Sequence, residues 1–342
     1  MKRVMSCLLL GSVALGTAGA QQKMTPELLW KLGRVSPEIG TGSGEVIFGV
    51  TRYDVAEDKS HRELFSVPVA GGEAKPLAGV QPGASGVQQL PGGGIGYTFE
   101  GQWWMLHPGD NAPVQVTHAD KPMENIRISP DSRYLMFSRA VPVHKVLGKD
   151  IYPDLPKSHV QVYTNLMYRH WDKWYEGSHN HVFYTTLDSA GNTGVPVDIM
   201  QGEPYDCPTQ PFGGAEDFIW APDGQHIYYV CKKLFGKDYA VSTNSDIYVY
   251  DLATGKTSNF TEKNKGYDTA PAFSPDGKSL AWLQMKTDGY EADKNDLVVQ
   301  VPGRSRPVNL TPAWDGTVDN FRWWRGSSGL YFSAPVTGTI QR

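Results

Sequence analysis

The feature that most constrains this chain is a turn motif that recurs with a strand directly behind it. Residues 220–233 read WAPDGQHIYYVCKK, residues 273–286 read FSPDGKSLAWLQMK, and residues 128–141 read ISPDSRYLMFSRAV. In each copy Pro presets φ for a tight turn, and Gly or a small polar residue completes it. A second mark closes the unit: an outer strand that ends in threonine, as in NFT at 259–261 and NLT at 309–311. The chain is therefore predicted to repeat one β-sheet unit.

The repeat has the length of a β-propeller blade, about four strands in roughly 40–55 residues. A four-stranded antiparallel blade is apolar on both faces, and these faces are buried only by radial stacking on neighbouring blades. The predicted blade starts lie near Ser36, Pro91, Ser129, Ala221, Ser274 and Arg325. The predicted fold class is an all-β propeller of WD40-like or Tol-type repeats, with about six blades begun and the last incomplete.

Composition supports this fold and excludes some classes of partner. The 342 residues include 37 Gly, 24 Pro and 17 Tyr, a mixture of turn formers and strand formers. The formal net charge is −4, and no basic stripe favours a nucleic-acid partner or an anionic membrane. His179 and His181 have an H-x-H spacing, but a polar turn that enters a strand is the favoured interpretation, so neither a metal nor a cofactor is predicted.

The N-terminus has the pattern of an export signal. Lys2 and Arg3 precede a short apolar run, and Ala18 and Ala20 form an A-x-A cleavage site. The run is too short to anchor the chain in a bilayer. The predicted organisation is a signal peptide at 1–20, an N-terminal helical segment at 21–35, and an incomplete propeller at 36–342 with an insertion near 142–178. The mature chain is predicted to be exported, either periplasmic or secreted, with no membrane anchor.

Two cysteines remain after the signal peptide, Cys207 and Cys231. In an oxidising compartment they either form a disulfide or remain as two buried, unreactive thiols. The spacing alone leaves both alternatives open.

Two stretches carry candidate substrate contacts. HWDKWYEG at 170–177 places Trp171, Trp174 and Glu176 in the insertion, where they either line a substrate path or pack on one another. Glu216 and Asp217 come just before a strand, where adjacent carboxylates either face the central channel and bind a cation such as an α-amine, or form a solvated pair.

No catalytic residue is predicted in this sequence. A serine nucleophile of the α/β-hydrolase type needs the elbow G-x-S-x-G, because only small neighbours fit its strained turn. The two nearest segments, GASGV at 83–87 and GSSGL at 326–330, both fail at the last position.

A series of segments in fixed order resembles one family. They are MTPELLWKLGRVS, YRHWDKW, SHNHVFYTTL, GEPYDCPTQPFGGAEDFIWAPDG, YAVSTNSDIYVYDLATGKTSNFT and NKGYDTAPAFSPDGKSLAWLQM. Together they are similar to the propeller half of the prolyl oligopeptidase family of serine peptidases, of the bacterial dipeptidyl-peptidase V and acylaminoacyl-peptidase type. The resemblance implies a peptide substrate, cleaved from its N-terminus by an α/β-hydrolase domain with a Ser-Asp-His triad. It also implies amine-binding carboxylates on the propeller, which it leaves unassigned among Glu176, Glu203, Glu216 and Asp217.

The resemblance implies that this chain is the substrate-gating N-terminal propeller of an exported serine peptidase, without the catalytic domain and inactive alone. Because the last predicted blade stops after about two strands, the chain is expected to be truncated and to expose an apolar blade face that favours self-association. The alternative is a stand-alone periplasmic propeller, like that of the Tol system, which binds protein partners without catalysis.

Overall fold

The computed structural model describes residues 23–41, 44–188 and 191–341. Besides one two-stranded sheet in the insertion, these residues form six antiparallel sheets that follow one another along the chain, five of four strands and one of three, and each of the six is a propeller blade. This confirms the predicted fold class. The predicted signal peptide at 1–20 lies outside the described residues. Among the described residues, no helix has the length and apolar character needed to cross a bilayer.

The chain enters the propeller through one short helix, α1 (Pro26–Lys31), for which Thr25 is the N-cap. The first two blades are formed by β1 (Arg34–Gly40), β2 (Glu45–Asp54), β3 (Lys59–Pro68) and β4 (Lys75–Pro76), and by β5 (Ser85–Gln89), β6 (Ile95–Phe99), β7 (Gln102–Leu106) and β8 (Val114–Gln115).

Blade 3 carries the insertion between its second and third strands. It runs through β9 (Glu124–Ile128) and β10 (Tyr134–Pro142), then the insertion with α2 (Gly148–Ile151), β11 (Arg169–His170) and β12 (Lys173–Trp174), and then β13 (Ser178–Thr186) and β14 (Val197–Asp198).

The last three blades follow without a comparable insertion. They are formed by a 3₁₀ helix (Ala215–Asp217), β15 (Phe218–Trp220), β16 (His226–Cys231), α3 (Gly236–Val241), β17 (Asp246–Asp251) and β18 (Lys256–Asn259); by β19 (Asp268–Phe273), β20 (Leu280–Gln284), β21 (Asp296–Gln300) and β22 (Val308–Asn309); and by β23 (Asn320–Trp323), β24 (Leu330–Val336) and β25 (Thr339–Gln341).

The repeated turn motif connects the innermost strand of a blade to its second strand. Ser129 Oγ donates to Asp131 Oδ1 at 2.7 Å and accepts from the backbone N–H of Tyr134 at 3.0 Å. Ser274 and Asp276 form the same side-chain bond at 2.6 Å. The motif is therefore a hydrogen-bonded turn, and its recurrence along the chain serves the fold. Five of the six predicted blade starts fall at this turn, after the inner strand, because the turn is more visible in sequence than the short strand before it.

The threonine that ends the outer strand also forms its hydrogen bond within its own blade. The hydroxyl oxygens of Thr117, Thr261 and Thr311 accept from a backbone N–H of the third strand of their own blade, at 2.8, 2.9 and 3.0 Å. These bonds hold the end of each outer strand on its neighbour, where the backbone ladder stops.

Apolar clusters join consecutive blades. Pairs of residues that represent these clusters, from blades 1 and 2 through blades 5 and 6, are Ile47 and Tyr97, Trp103 and Phe137, Met136 and Tyr229, Val230 and Trp282, and Leu297 and Phe321. Among the described residues, no such cluster joins blade 6 to blade 1. Among the described residues, each of the two end blades therefore shares an apolar cluster with one neighbouring blade.

The two cysteines are free thiols in the core between blades 3 and 4. Cys207 Sγ lies 3.9 Å from the backbone oxygen of Asp217, to which it donates. Burial raises the pKa of both thiols well above the ordinary value. The structure thus contains the second alternative, two buried thiols, and the proposed Cys207–Cys231 disulfide is not formed.

Candidate functional site

The insertion and two neighbouring loops form one end of the propeller. Because adjacent strands of a blade run in opposite directions, the end of β10 is level with the start of β9, where the inner strand begins. Residues 143–177, 199–217 and 232–245 all emerge at this level, and we call their common surface the insertion face. Every candidate contact residue predicted from the sequence lies in the first two of these segments.

A chain of side chains ties the insertion to blade 3. His179 Nδ1 lies 2.7 Å from Asp206 Oδ2, and its Nε2 lies 2.9 Å from Tyr175 Oη. Tyr175 Oη lies 2.6 Å from His144 Nδ1. Burial, and then the negative charge of Asp206, raise the pKa of Tyr175 to about 12. The phenol therefore stays protonated and bridges the two imidazoles.

The H-x-H pair is engaged in structural hydrogen bonds. Both ring nitrogens of His179 are used in the chain of side chains just described. His181 is buried, with Nδ1 2.8 Å from Asp198 Oδ2 and Nε2 2.9 Å from the backbone oxygen of Glu203. The two histidines thus hold β13 to the loops around it.

One aromatic cluster forms on the insertion itself. Trp174 is 51% exposed, and its ring lies 6.4 Å from that of Tyr163 and 6.1 Å from that of Tyr168, with both pairs stacked. Burial, and then the charge of nearby Glu176, raise the pKa of Tyr163. Trp174 and Glu176 are therefore neighbours on an exposed aromatic surface that also carries a carboxylate.

A second aromatic contact joins the insertion to the loop before β15. Trp171 is 62% exposed and meets Phe212 edge-on, with ring centroids 4.8 Å apart. Phe212 is itself 74% exposed and lies on the loop that continues to Glu216. The structure therefore brings Trp171 to the loop that carries Glu216, and it places Trp174 in a separate cluster with Glu176.

Asp217 is a buried anchor of this loop. Its side chain is 1% exposed, and Oδ2 accepts from Thr209 N at 2.8 Å and from Thr209 Oγ1 at 2.7 Å. Burial raises its pKa to about 6. The predicted Glu216–Asp217 pair is thus split, since Asp217 is turned into the protein by the bonds that hold the loop closed.

Glu216 is exposed and lies near the inner strand of blade 3. The inner strand of blade 3 contributes Arg127, whose Nε and Nη2 donate to the backbone oxygen of Ala215 at 3.1 and 2.7 Å. Burial lowers the pKa of Arg127; the charge of Glu216 opposes this shift, and Arg322 on the inner strand of blade 6 adds to it. Glu216 is therefore close to inner-strand charges, as expected for a group at the channel mouth.

Glu203, the fourth carboxylate considered from sequence, is neutralised. Lys233 Nζ lies 2.7 Å from Glu203 Oε1 and also 4.5 Å from the centroid of the Tyr248 ring. The ion pairs formed by the described residues include neither Glu176 nor Glu216. These two carboxylates are consequently the ones best placed to receive a ligand cation.

Sequence reasoning missed the partners that shape this face: His144, Tyr175, Phe212 and Lys233. His144, Phe212 and Lys233 lie about 30 or more residues from Tyr175, Trp171 and Glu203, the residues they contact, and Tyr175 lies in the 170–177 stretch but was not singled out. The aromatic density of 168–175 was the only signal that pointed to the region.

Comparison with known proteins identifies relatives of this chain, although no family model matches it. Dipeptidyl-peptidase 5 of Porphyromonas gingivalis is 37% identical over 340 residues, which cover 97% of this chain and 49% of that protein. The chain thus spans about half the length of the curated relatives it matches.

Two solved structures share the fold. The acylaminoacyl peptidase of Pyrococcus horikoshii superimposes with a TM-score of 0.64 at 14% identity, over 91% of this chain and 44% of that one. The β-propeller domain of the Trilobed protease of Pyrococcus furiosus superimposes with a TM-score of 0.53 at 13% identity, over 91% of this chain and 80% of that one.

Proposed function

This chain is a homologue of the dipeptidyl-peptidase 5 proteins of the prolyl oligopeptidase family, and we propose that it is the substrate-gating propeller of an exported serine peptidase. In this proposal the peptidase cleaves peptides from the N-terminus, and the propeller admits and orients the peptide. Support comes from the similarity to dipeptidyl-peptidase 5 proteins, the shared propeller fold and the export pattern at 1–20.

The observation that carries the proposal is the contact between Trp171 and Phe212, beside the loop of Glu216. It brings an exposed ring of the insertion onto the exposed ring of Phe212, on the loop that also carries the exposed Glu216. A peptide N-terminus presents an ammonium group next to its first side chains. A carboxylate binds the ammonium through charge-assisted hydrogen bonds, and aromatic rings cover apolar side chains.

Glu216 is the proposed amine ligand in preference to Glu176, because it lies toward the channel through which a gated substrate passes. Arg127 and Arg322 lie near the same mouth. Both arginines lie on the innermost strands of their blades, which line that channel.

The hydrolytic step is assigned to residues outside this sequence. Acyl transfer by this family needs a serine nucleophile, a base and an oxyanion hole, and no G-x-S-x-G elbow occurs here. The proposed contribution of the propeller is therefore binding and selection, which act on substrate affinity.

A binding experiment tests the proposal on the chain itself. Tripeptides with a free or an N-acetylated amine are titrated into the protein while the fluorescence of its exposed tryptophans is followed. We expect the free amine to bind more tightly, and E216Q to raise its Kd about tenfold while leaving the acetylated peptide unchanged. E176Q is the matched control. Equal binding of both peptides, or no binding of either, would refute the assignment.

A further inference from the structure

Tyr175 lies where three parts of the insertion face meet. Its hydroxyl group bridges His144, at the start of the insertion, and His179, on β13. His179 is bonded in turn to Asp206, which belongs to the loop before β15 that also carries Phe212. One phenol therefore connects both ends of the insertion to blade 3 and to the loop that the insertion contacts.

The backbone of Tyr175 holds the aromatic cluster of the insertion. Its carbonyl oxygen accepts from Tyr163 Oη at 2.9 Å, and its N–H donates to the backbone oxygen of Tyr168 at 3.0 Å. The rings of Tyr163 and Tyr168 are the two that stack on Trp174. The position of this exposed cluster therefore depends on where the phenol of Tyr175 is held.

The donors and acceptors of this chain of bonds determine how many protons it holds. Asp206 accepts from His179 Nδ1, so Nε2 of the neutral ring accepts the phenol proton, and the phenol oxygen accepts from His144 Nδ1. If His179 gains a proton, its Nε2 donates to the phenol, and the phenol donates to His144 instead. If His144 gains a proton at Nε2, the first arrangement is kept. One added proton therefore breaks no bond of the chain.

A second proton is incompatible with the arrangement. When both imidazoles are charged, two N–H groups converge on one phenol oxygen, and the phenol proton has no acceptor in the chain. The two rings also repel each other, since their centroids are 5.9 Å apart. Burial, and then the charge of His179, lower the pKa of His144 from its ordinary value of 6.5. If the insertion opens, both rings enter water, so opening takes up one more proton than the closed chain holds.

The groups packed around the chain of bonds do not relieve a second charge. Phe235, just before α3, covers the first imidazole, with ring centroids 5.3 Å apart. Tyr239 on α3 and the two buried thiols lie near Asp206, and burial raises their pKa values, so they stay neutral. Glu176, the residue after Tyr175, is exposed to solvent. The carboxylate of Asp206 is therefore the buried countercharge, and it compensates one imidazolium.

We propose that Tyr175 is a positioning residue of the insertion face. It holds the insertion against the loop of Phe212 and Glu216 while the chain of bonds carries at most one added proton, and a second proton releases the insertion. Release separates Trp171 from Phe212, so the candidate ligand surface is lost in acid. This inference concerns how the face is held together, and it does not depend on whether Glu216 binds an amine.

Hydrogen exchange of residues 143–177 tests the proposal, measured by mass spectrometry from about pH 7.5 to about pH 5 and corrected for intrinsic exchange rates. Below about pH 6.5, the ordinary pKa of histidine, the protection of the wild type should fall by up to about tenfold per pH unit, the slope of one linked proton. H144Q should stay protected at about pH 5, because its neutral amide bonds to the phenol and takes up no proton. H159Q is the control, since His159 is exposed on the same insertion, and it should behave as the wild type.

A second variant tests the phenol directly. Y175F keeps the ring and removes the bridging oxygen, so exchange at about pH 7.5 should rise at least about tenfold. Y168F is its control, since Tyr168 is 47% exposed in the same aromatic cluster. If H144Q opens the insertion at neutral pH, imidazole ¹⁵N shifts of the wild type decide, and they should show one charge shared by His144 and His179 while the insertion is protected. Wild-type protection that does not change with pH, two charged rings in a protected insertion, or wild-type exchange in Y175F overturns the proposal. No peptide is added, so the result is separate from that of the amine titration.

Discussion

Replacing Asp217 by Asn is expected to change how the stability of the chain depends on pH. Burial raises the pKa of the Asp217 carboxyl group from an ordinary 3.8 to about 6, against opposing hydrogen bonds from Thr209. Between these two values the folded chain holds a proton that the unfolded chain has released. The contribution of Asp217 is therefore fully favourable below the unfolded pKa, and it is lost as the pH rises through the folded pKa.

The size of the effect follows from the shift. About two pKa units, at about 1.4 kcal/mol per unit, correspond to about 3 kcal/mol. Asparagine is neutral at every pH, and its Oδ1 can accept both bonds from Thr209, which converge on one carboxylate oxygen. Relative to wild type, D217N should therefore gain about 2 to 3 kcal/mol of unfolding free energy between about pH 4 and about pH 7.5.

Urea unfolding of both proteins across this range measures the difference. D276N is the control with the opposite sign. The hydrogen bond from Ser274 lowers the pKa of Asp276 more than any other interaction does. The stabilising contribution of the Asp276 carboxylate is therefore lost as the pH falls. Parallel pH profiles for D217N and wild type would show that the pKa of Asp217 is the same in the folded and unfolded chains, and would refute the reasoning.

Three further predictions follow from the proposed function. Exported protein should begin after Ala20; an intact mass that retains residues 1–20 would contradict this. In the full-length peptidase, W171A and W174A should raise KM and lower kcat/KM, which corresponds to an increase of about 1–3 kcal/mol in activation free energy. Unchanged kinetics and unchanged stability would assign both rings to packing. The purified chain alone should release no product from dipeptide or acyl-aminoacyl chromogenic substrates, and turnover abolished by mutation of one of its own serines would refute this.

The fold was predictable because its determinants are local. Ser129 bonds to Asp131 two residues away, and each closing threonine bonds within its own blade. A structural motif contained in a few residues can be recognised in the sequence wherever it repeats. The exact strand starts were harder to predict, because the inner strands are short and the recognisable motif is the turn that follows them.

The candidate face was predictable only in outline. Aromatic density pointed to Trp171 and Trp174, but no sequence pattern reveals that Trp171 meets Phe212 or that Lys233 neutralises Glu203, 30 residues away. Those contacts depend on how loops from different blades converge. The sequence also could not decide between free thiols and a disulfide. The spacing between Cys207 and Cys231 does not show that Cys207 donates to the backbone carbonyl of Asp217.

The insertion also bears on how the polypeptide reaches its native state. All six blades pair strands that are consecutive along the chain, except that blade 3 must bring β10 and β13 together across residues 143–177. Compared with a four-residue hairpin, closing a loop of that length costs about 2 kcal/mol more in chain entropy. Blade 3 thus has the highest contact order of the six, and slower formation is expected for it. The bond between Tyr175 and His144 joins the two ends of that loop, and it forms only after the loop has closed. The same segment that supplies the candidate binding face is therefore the one expected to order last within blade 3.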